Sequence, residues 1–294
     1  MTRAAILALI ALAVAVSPAQ ARRHHAPHAA PVIVATQDLA QPVAAALKAA
    51  KAGRRVIVVF DIDNTLLTTP QDLGGDAWYN WEKSKGGDNG RLIADNTLLL
   101  AATRMTPTQA DAAALIGQLQ AHHVAVYAMS ARSEMLRSAT LAALHDNGID
   151  LSPAPECGPP LCRRRGLIGD RAIRSAELSL RMKPQAAAYR DVTVSDGLML
   201  VAGQDKGVML RLLLASLNHR YNDVWFVDDT WQNVVDVRAA APAMTVRVHP
   251  YSYQRMRADA DAFGADAARQ AKSEADMARY KASLCDAVRA TVCP

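Results

Sequence analysis

Four short apolar runs punctuate the chain: Val56-Ile57-Val58-Val59-Phe60, Val124 to Met129, Val224-Trp225-Phe226-Val227 and Met244 to Val248. They are rich in β-branched and aromatic residues and show no polar alternation. That is the pattern of strands buried on both faces of a parallel sheet. Helix-like stretches over 109–121, 207–217 and 234–241 precede the last three runs. Strands alternating with helices predict an α/β fold, a Rossmann-like doubly wound parallel sheet. Ligands of such sheets sit beyond the carboxyl ends of the strands. Polar residues follow three of the runs directly: Asp61 and Asp63, then Ser130, then Asp228 and Asp229. They are expected to converge on one crevice.

Two segments break the alternation and are expected to form small cap inserts over that crevice. Residues 68–105 hold Trp78, Tyr79 and Trp81 between glycine pairs. Residues 137–200 end in Val192 to Leu200, two short strands around an Asp-Gly turn, which is a hairpin signal. The core with its inserts is placed at 39–256, beginning with a short helix over 40–52, and an Ala-rich helical tail at 257–294. At the other end, Arg3, the apolar run Ala4 to Val16 and Ala19-Gln20-Ala21 have the pattern of a Sec-type signal peptide over 1–21. The apolar run is shorter than the roughly 20 residues of a membrane span. Stable membrane association is not expected, and export points to the periplasm. Residues 22–38, rich in His, Ala and Pro, are expected to be disordered.

Composition narrows the picture modestly. Half the residues are hydrophobic, enough for a sizeable core, and the net charge is +5. The basic residues are scattered. Their densest cluster, Arg163-Arg164-Arg165, carries no interleaved aromatics, so no nucleic-acid partner is expected. The four cysteines fall into two local pairs, Cys157 with Cys162 and Cys285 with Cys293. In an exported chain they read as two short-loop disulfides. Zinc is the competing reading, but no His lies near either pair.

The string Asp61-Ile62-Asp63-Asn64-Thr65 places two carboxylates at the end of a buried strand, which is costly without a neutralising cation. A hard cation such as Mg²⁺ takes carboxylate, carbonyl and water oxygens. The other reading is a loop that only caps a helix. The string resembles the DxDx[TV] first motif of the haloacid dehalogenase superfamily, and three further strings are similar to its remaining motifs in order. They are Val126 to Ser130, Gln204-Asp205-Lys206-Gly207, and Val224 to Asp229. The resemblance covers about residues 55–250. It implies that Asp61 attacks phosphorus and that Asp63 exchanges protons with the leaving oxygen and the attacking water. Thr65, Ser130 and Lys206 would shape and line the phosphate site. Mg²⁺ would be held by Asp61, the Asp63 carbonyl and an acid of the fourth motif. Asp229 is the preferred direct ligand with Asp228 second, and Asn233 would then lie in the outer shell. Gly169-Asp170 mimics this motif without enough strand before it.

The function so implied is Mg²⁺-dependent hydrolysis of a small phosphorylated substrate. The alternatives are a phosphotransferase and a non-catalytic binding module. More narrowly, the chain is similar to a group of secreted bacterial proteins of the superfamily that carry a Leu-Gly-x-x-x-Trp stretch, here Leu73 to Trp78, and a hairpin leading into Lys-Gly. Arg132 could touch substrate or pair with Glu134. Trp78 and Trp81 suit either core packing or a stacking lid.

Overall fold

A computed structural model describes residues 29–158, 162, 169–180, 182–183, 189–217 and 220–288. In chain order these form β1 (Val34–Thr36), α1 (Ala40–Lys51), β2 (Val56–Phe60), β3 (Leu67–Thr68), α2 (Asp76–Ser84), α3 (Asn89–Ala102), β4 (Thr106–Pro107), α4 (Ala112–Ala121) and β5 (Ala125–Ser130). There follow α5 (Arg137–Asp146), α6 (Asp170–Ser179), β6 (Thr193–Ser195), β7 (Leu198–Leu200), α7 (Lys206–Ser216), β8 (Asp223–Asp228), α8 (Trp231–Ala240), β9 (Arg247–Tyr253), α9 (Arg257–Ala265) and α10 (Ala267–Val288).

Seven strands make one sheet in the order β1-β9-β8-β2-β5-β7-β6. Every neighbouring pair is parallel except β6 with β7. The expected α/β doubly wound sheet is present. All five residues of β2 and all six of β8 are buried. Alternate side chains feed opposite faces. Ile57, Val59, Val224 and Phe226 join one hydrophobic layer, and Val56, Val58, Phe60, Trp225 and Val227 join the other. Burial of each such large side chain stabilises by roughly 1.5–3 kcal/mol. From β2 the chain winds outward to β5 and β7, then returns to β8 on the other side of β2. The winding therefore reverses between β2 and β8, the position where such sheets open a crevice.

Several expectations need correction. Residues 34–36 of the segment expected to be disordered are β1, paired with Tyr251 to Tyr253 of β9. Three residues at a sheet edge leave too little pattern to read. The last strand starts later than the apolar run and extends past it, pairing with β8 over Arg247 to Ser252 and with β1 over Tyr251 to Tyr253. Residues 137–200 are not simply a cap. The β6–β7 hairpin extends the main sheet through β7 against β5, and Ile173 and Ala176 of α6 are buried in the same hydrophobic layer as Ile57. At the hairpin turn Asp196 and Gly197 both take positive φ, 52° and 69°, as an Asp-Gly two-residue turn requires.

The 68–105 insert does stand apart. Its Leu73, Trp78 and Leu99 form a small separate cluster with Phe263 of α9, and Trp81 meets Phe263 edge-on at 5.8 Å. The expected tail is thus two helices, and they share a body with the insert. Trp78 is core and not a lid, at 2% exposure. Cys157 and Cys162 are disulfide-bonded. The other expected pair includes Cys293, which lies outside the described residues, as do the signal-like segment 1–21 and Arg163 to Arg165. No helix among the described residues is long and apolar enough to cross a membrane.

Candidate metal and phosphate centre

Asp61 is the first residue beyond β2, and its backbone N–H still donates to the Val227 carbonyl of β8 at 2.8 Å. The next turn is tight: the Ile62 carbonyl accepts from Thr65, Leu66 and Leu67, and Asn64 takes a left-handed φ of 55°. Asparagine tolerates that conformation better than most residues. Asp61, Asp228 and Asp229 each present an oxygen, all within 4.8 Å of one another, so the cluster could hold a metal ion.

Lys206 reaches the cluster from the first residue of α7. Its Nζ donates to Asp61 Oδ1 at 2.5 Å and to Asp228 Oδ2 at 2.7 Å, with the lysine 1% exposed. Gly207 makes that approach feasible. A Cβ there would sit 2.3 Å from the Asp236 carbonyl oxygen of α8, so glycine lets α7 lie against the helix that follows Asp228. Asp205 caps α7 by accepting from the Val208 N–H at 2.9 Å, which fixes where Lys206 begins the helix.

The two neighbouring acids differ in their surroundings. Asp228 is wholly buried and accepts from Lys206, from the Asn233 amide at 3.0 and 3.2 Å and from the Thr230 N–H at 2.9 Å. Among the described residues, Asp229 has only the Thr230 hydroxyl on its carboxylate, at 3.3 Å. Burial, then the charges of Asp76, Asp61 and Asp228, push its pKa well above the usual carboxylate range. Burial does the same to Asp61, opposed by Lys206 and reinforced by Asp228 and Asp63. Asn233 thus serves Asp228, not Asp229 as the motif register suggested.

Other expected residues fall as follows. Ser130 ends β5 fully buried, its Oγ 3.4 Å from Asp63 Oδ2. Thr65 is fully buried. Its hydroxyl accepts from the Asp229 N–H at 3.0 Å, so it positions that acid. Arg132 pairs neither with Glu134 nor with open solvent. It grips Asp63 from Nε at 3.0 Å and from Nη2 at 2.7 Å while only 5% exposed. Burial works against its charge, but Asp63 outweighs that and raises the Arg132 pKa. Asp170, the decoy, starts α6 and accepts from Arg174 and the Tyr189 N–H.

One site residue escaped the sequence reading. Asp76, the first residue of α2, accepts from the Asn64 amide at 3.3 Å. Burial and then the Asp63 charge raise its pKa to about 7. Its signal was present in the Leu73 to Trp78 stretch, where an acid stands two residues before the tryptophan.

Five carboxylates (Asp61, Asp63, Asp76, Asp228, Asp229) therefore confront two cations, Lys206 and Arg132. An all-oxygen donor set with this excess of negative charge fits a hard divalent cation.

A family model described as a protein of unknown function (DUF2608) matches residues 36–279. The chain belongs to that family. No curated protein and no solved structure matches it. The DUF2608 span takes in both the insert and most of α10, so the small body over the crevice belongs to the family match along with the sheet.

Proposed function

We propose that this DUF2608 protein is a phosphomonoester hydrolase that works through an aspartyl phosphate on Asp61. The supporting observation is the meeting of Asp61, Asp228, Asp229 and Lys206 where the sheet reverses its winding. The likeness of four strings to the haloacid dehalogenase motifs adds a reaction to that arrangement.

Mg²⁺ is the proposed cofactor, held by Asp61, Asp229 and the Asp63 backbone carbonyl, and when bound it neutralises phosphoryl charge as a Lewis acid. Lys206 binds a phosphoryl oxygen, and its charge opposes the burial that disfavours the ionised Asp61 carboxylate. In the first step an Asp61 oxygen bonds to phosphorus, the bond to the leaving oxygen breaks, and Asp63 gives that oxygen its proton. Water then attacks phosphorus while passing a proton to Asp63. The acyl-phosphate bond breaks, and phosphate and free Asp61 result. Arg132 orients Asp63 for both transfers. Ser130 sits beside it to meet a phosphoryl oxygen.

The Cys157–Cys162 bond supports an exported setting, since disulfides persist in oxidising compartments. A screen of phosphorylated metabolites with Mg²⁺ or EDTA tests the reading. Turnover that EDTA abolishes is expected. Metal-dependent binding of phosphorylated ligands without any turnover would replace it with a binding module.

A further inference from the structure

Beside Asp229 lies a cavity of about 550 Å³ lined also by Asn64, Trp231, Tyr253, Met256 and Arg257, among others. Such a volume far exceeds the need of a phosphate and falls in the ordinary range of small-molecule sites. Trp231 is its unusual feature. Trp78 and Trp225 are buried at 2% and 3%, whereas Trp231 is 57% exposed. It begins α8, two residues after Asp229, so the chain itself ties the indole to the metal-binding acid. A single exposed aromatic is ordinary on a protein surface. One that walls a cavity shared with an acid of the carboxylate cluster, Asp229, is not. Met256 lines the same cavity, and a flexible thioether suits contact with an aromatic ring. Arg257, which also lines the cavity, has among the described residues only one ion pair, to Asp261 at 3.9 Å, which leaves it able to meet a polar edge.

We infer that this cavity receives the leaving alcohol of the phosphomonoester, and that Trp231 stacks on a flat aromatic ring of nucleoside size carried by that alcohol. The inference rests on the esterase reading, but the stacking surface is independent of the chemistry.

The test compares wild type, Trp231→Ala and Trp231→Phe in the Mg²⁺-loaded full chain, with adenosine 5′-monophosphate and ethyl phosphate as substrates and adenosine as a calorimetric ligand. Stacking of a base on an aromatic side chain is worth about 1–3 kcal/mol, or roughly five- to 150-fold. Alanine is therefore expected to lower kcat/KM for the nucleotide at least fivefold more than for ethyl phosphate, and phenylalanine to restore most of it. Adenosine binding should weaken in parallel. Turnover of both esters with an unchanged ratio in the alanine variant would overturn the subsite and leave the esterase standing. Trp231-dependent adenosine binding without turnover of either ester would do the reverse. Neither turnover nor adenosine binding would overturn the inference together with its basis.

Discussion

The guanidinium of Arg132 holds the carboxylate of Asp63 through two hydrogen bonds, at 2.7 and 3.0 Å, from a position almost closed to solvent. Its remaining Nη1 is tied to Thr140 of α5 at 2.9 Å. The acid proposed to handle both protons is thus anchored to the body of the fold and not to the mobile end of a loop. Lysine cannot reproduce a planar two-point grip. Arg132→Lys is expected to lower kcat roughly ten- to a hundredfold, the equivalent of a lost charge-assisted pair, with a smaller change in KM. Steady-state kinetics that moved KM alone would place Arg132 against substrate instead.

Asp228 and Asp229 are neighbours with different jobs, and their alanine variants should fail differently. Asp228→Ala leaves the buried Lys206 with Asp61 alone and takes the acceptor from the half-buried Asn233 amide, and loss of one partner from a buried ion pair costs up to about 3–5 kcal/mol. Thermal unfolding should show a marked fall in Tm. Asp229→Ala removes a carboxylate with little else to satisfy, so its Tm should change little while the Mg²⁺ needed for half-maximal turnover rises at least tenfold. Equal, small effects on the metal requirement would mean that neither acid is a ligand.

Asp76 supplies a pH signature. Burial and the Asp63 charge hold its pKa at about 7 in the folded chain, against about 3.9 for an unperturbed aspartate. A raised carboxyl pKa means that the folded state holds the proton over that interval while the unfolded state does not. Its contribution to stability is therefore complete at low pH and is lost as pH rises through about 7. In EDTA, Tm should fall between pH 5 and pH 8. Asp76→Asn should flatten that slope. An unaltered slope in the variant would assign the dependence to Asp61 and Asp229, which shift in the same direction.

What the sequence carried and what it hid follow from the range of the interactions. β2 and β8 were legible because strands covered on both faces must be apolar throughout. Asp61, Asp63, Ser130, Asp228 and Asp229 were legible because each stands at or just past the end of such a strand. Lys206 was found from its motif, and Gly207 only afterwards gained a reason, in the contact with Asp236. Asp76 and the Arg132–Asp63 pair were not legible. The first depends on how the insert docks through Asn64, and the second on a bond across 69 residues. Local pattern reports neither. The hairpin's membership of the main sheet was hidden for the same reason, since Leu198 to Leu200 read alike in a cap or a core.

Asp61 as nucleophile is the pivot of the proposed mechanism. The direct measurement is to mix Mg²⁺-loaded protein with a phosphomonoester that it turns over, quench in acid within a turnover, and map phosphoryl adducts by peptide mass spectrometry. The adduct should lie on Asp61. It should be absent from Asp61→Asn, which should stay folded and lose more than about nine-tenths of kcat, since loss of covalent catalysis raises the barrier by several kcal/mol. Steady turnover with no adduct, or an asparagine variant that keeps pace with wild type, would contradict the mechanism at its first step.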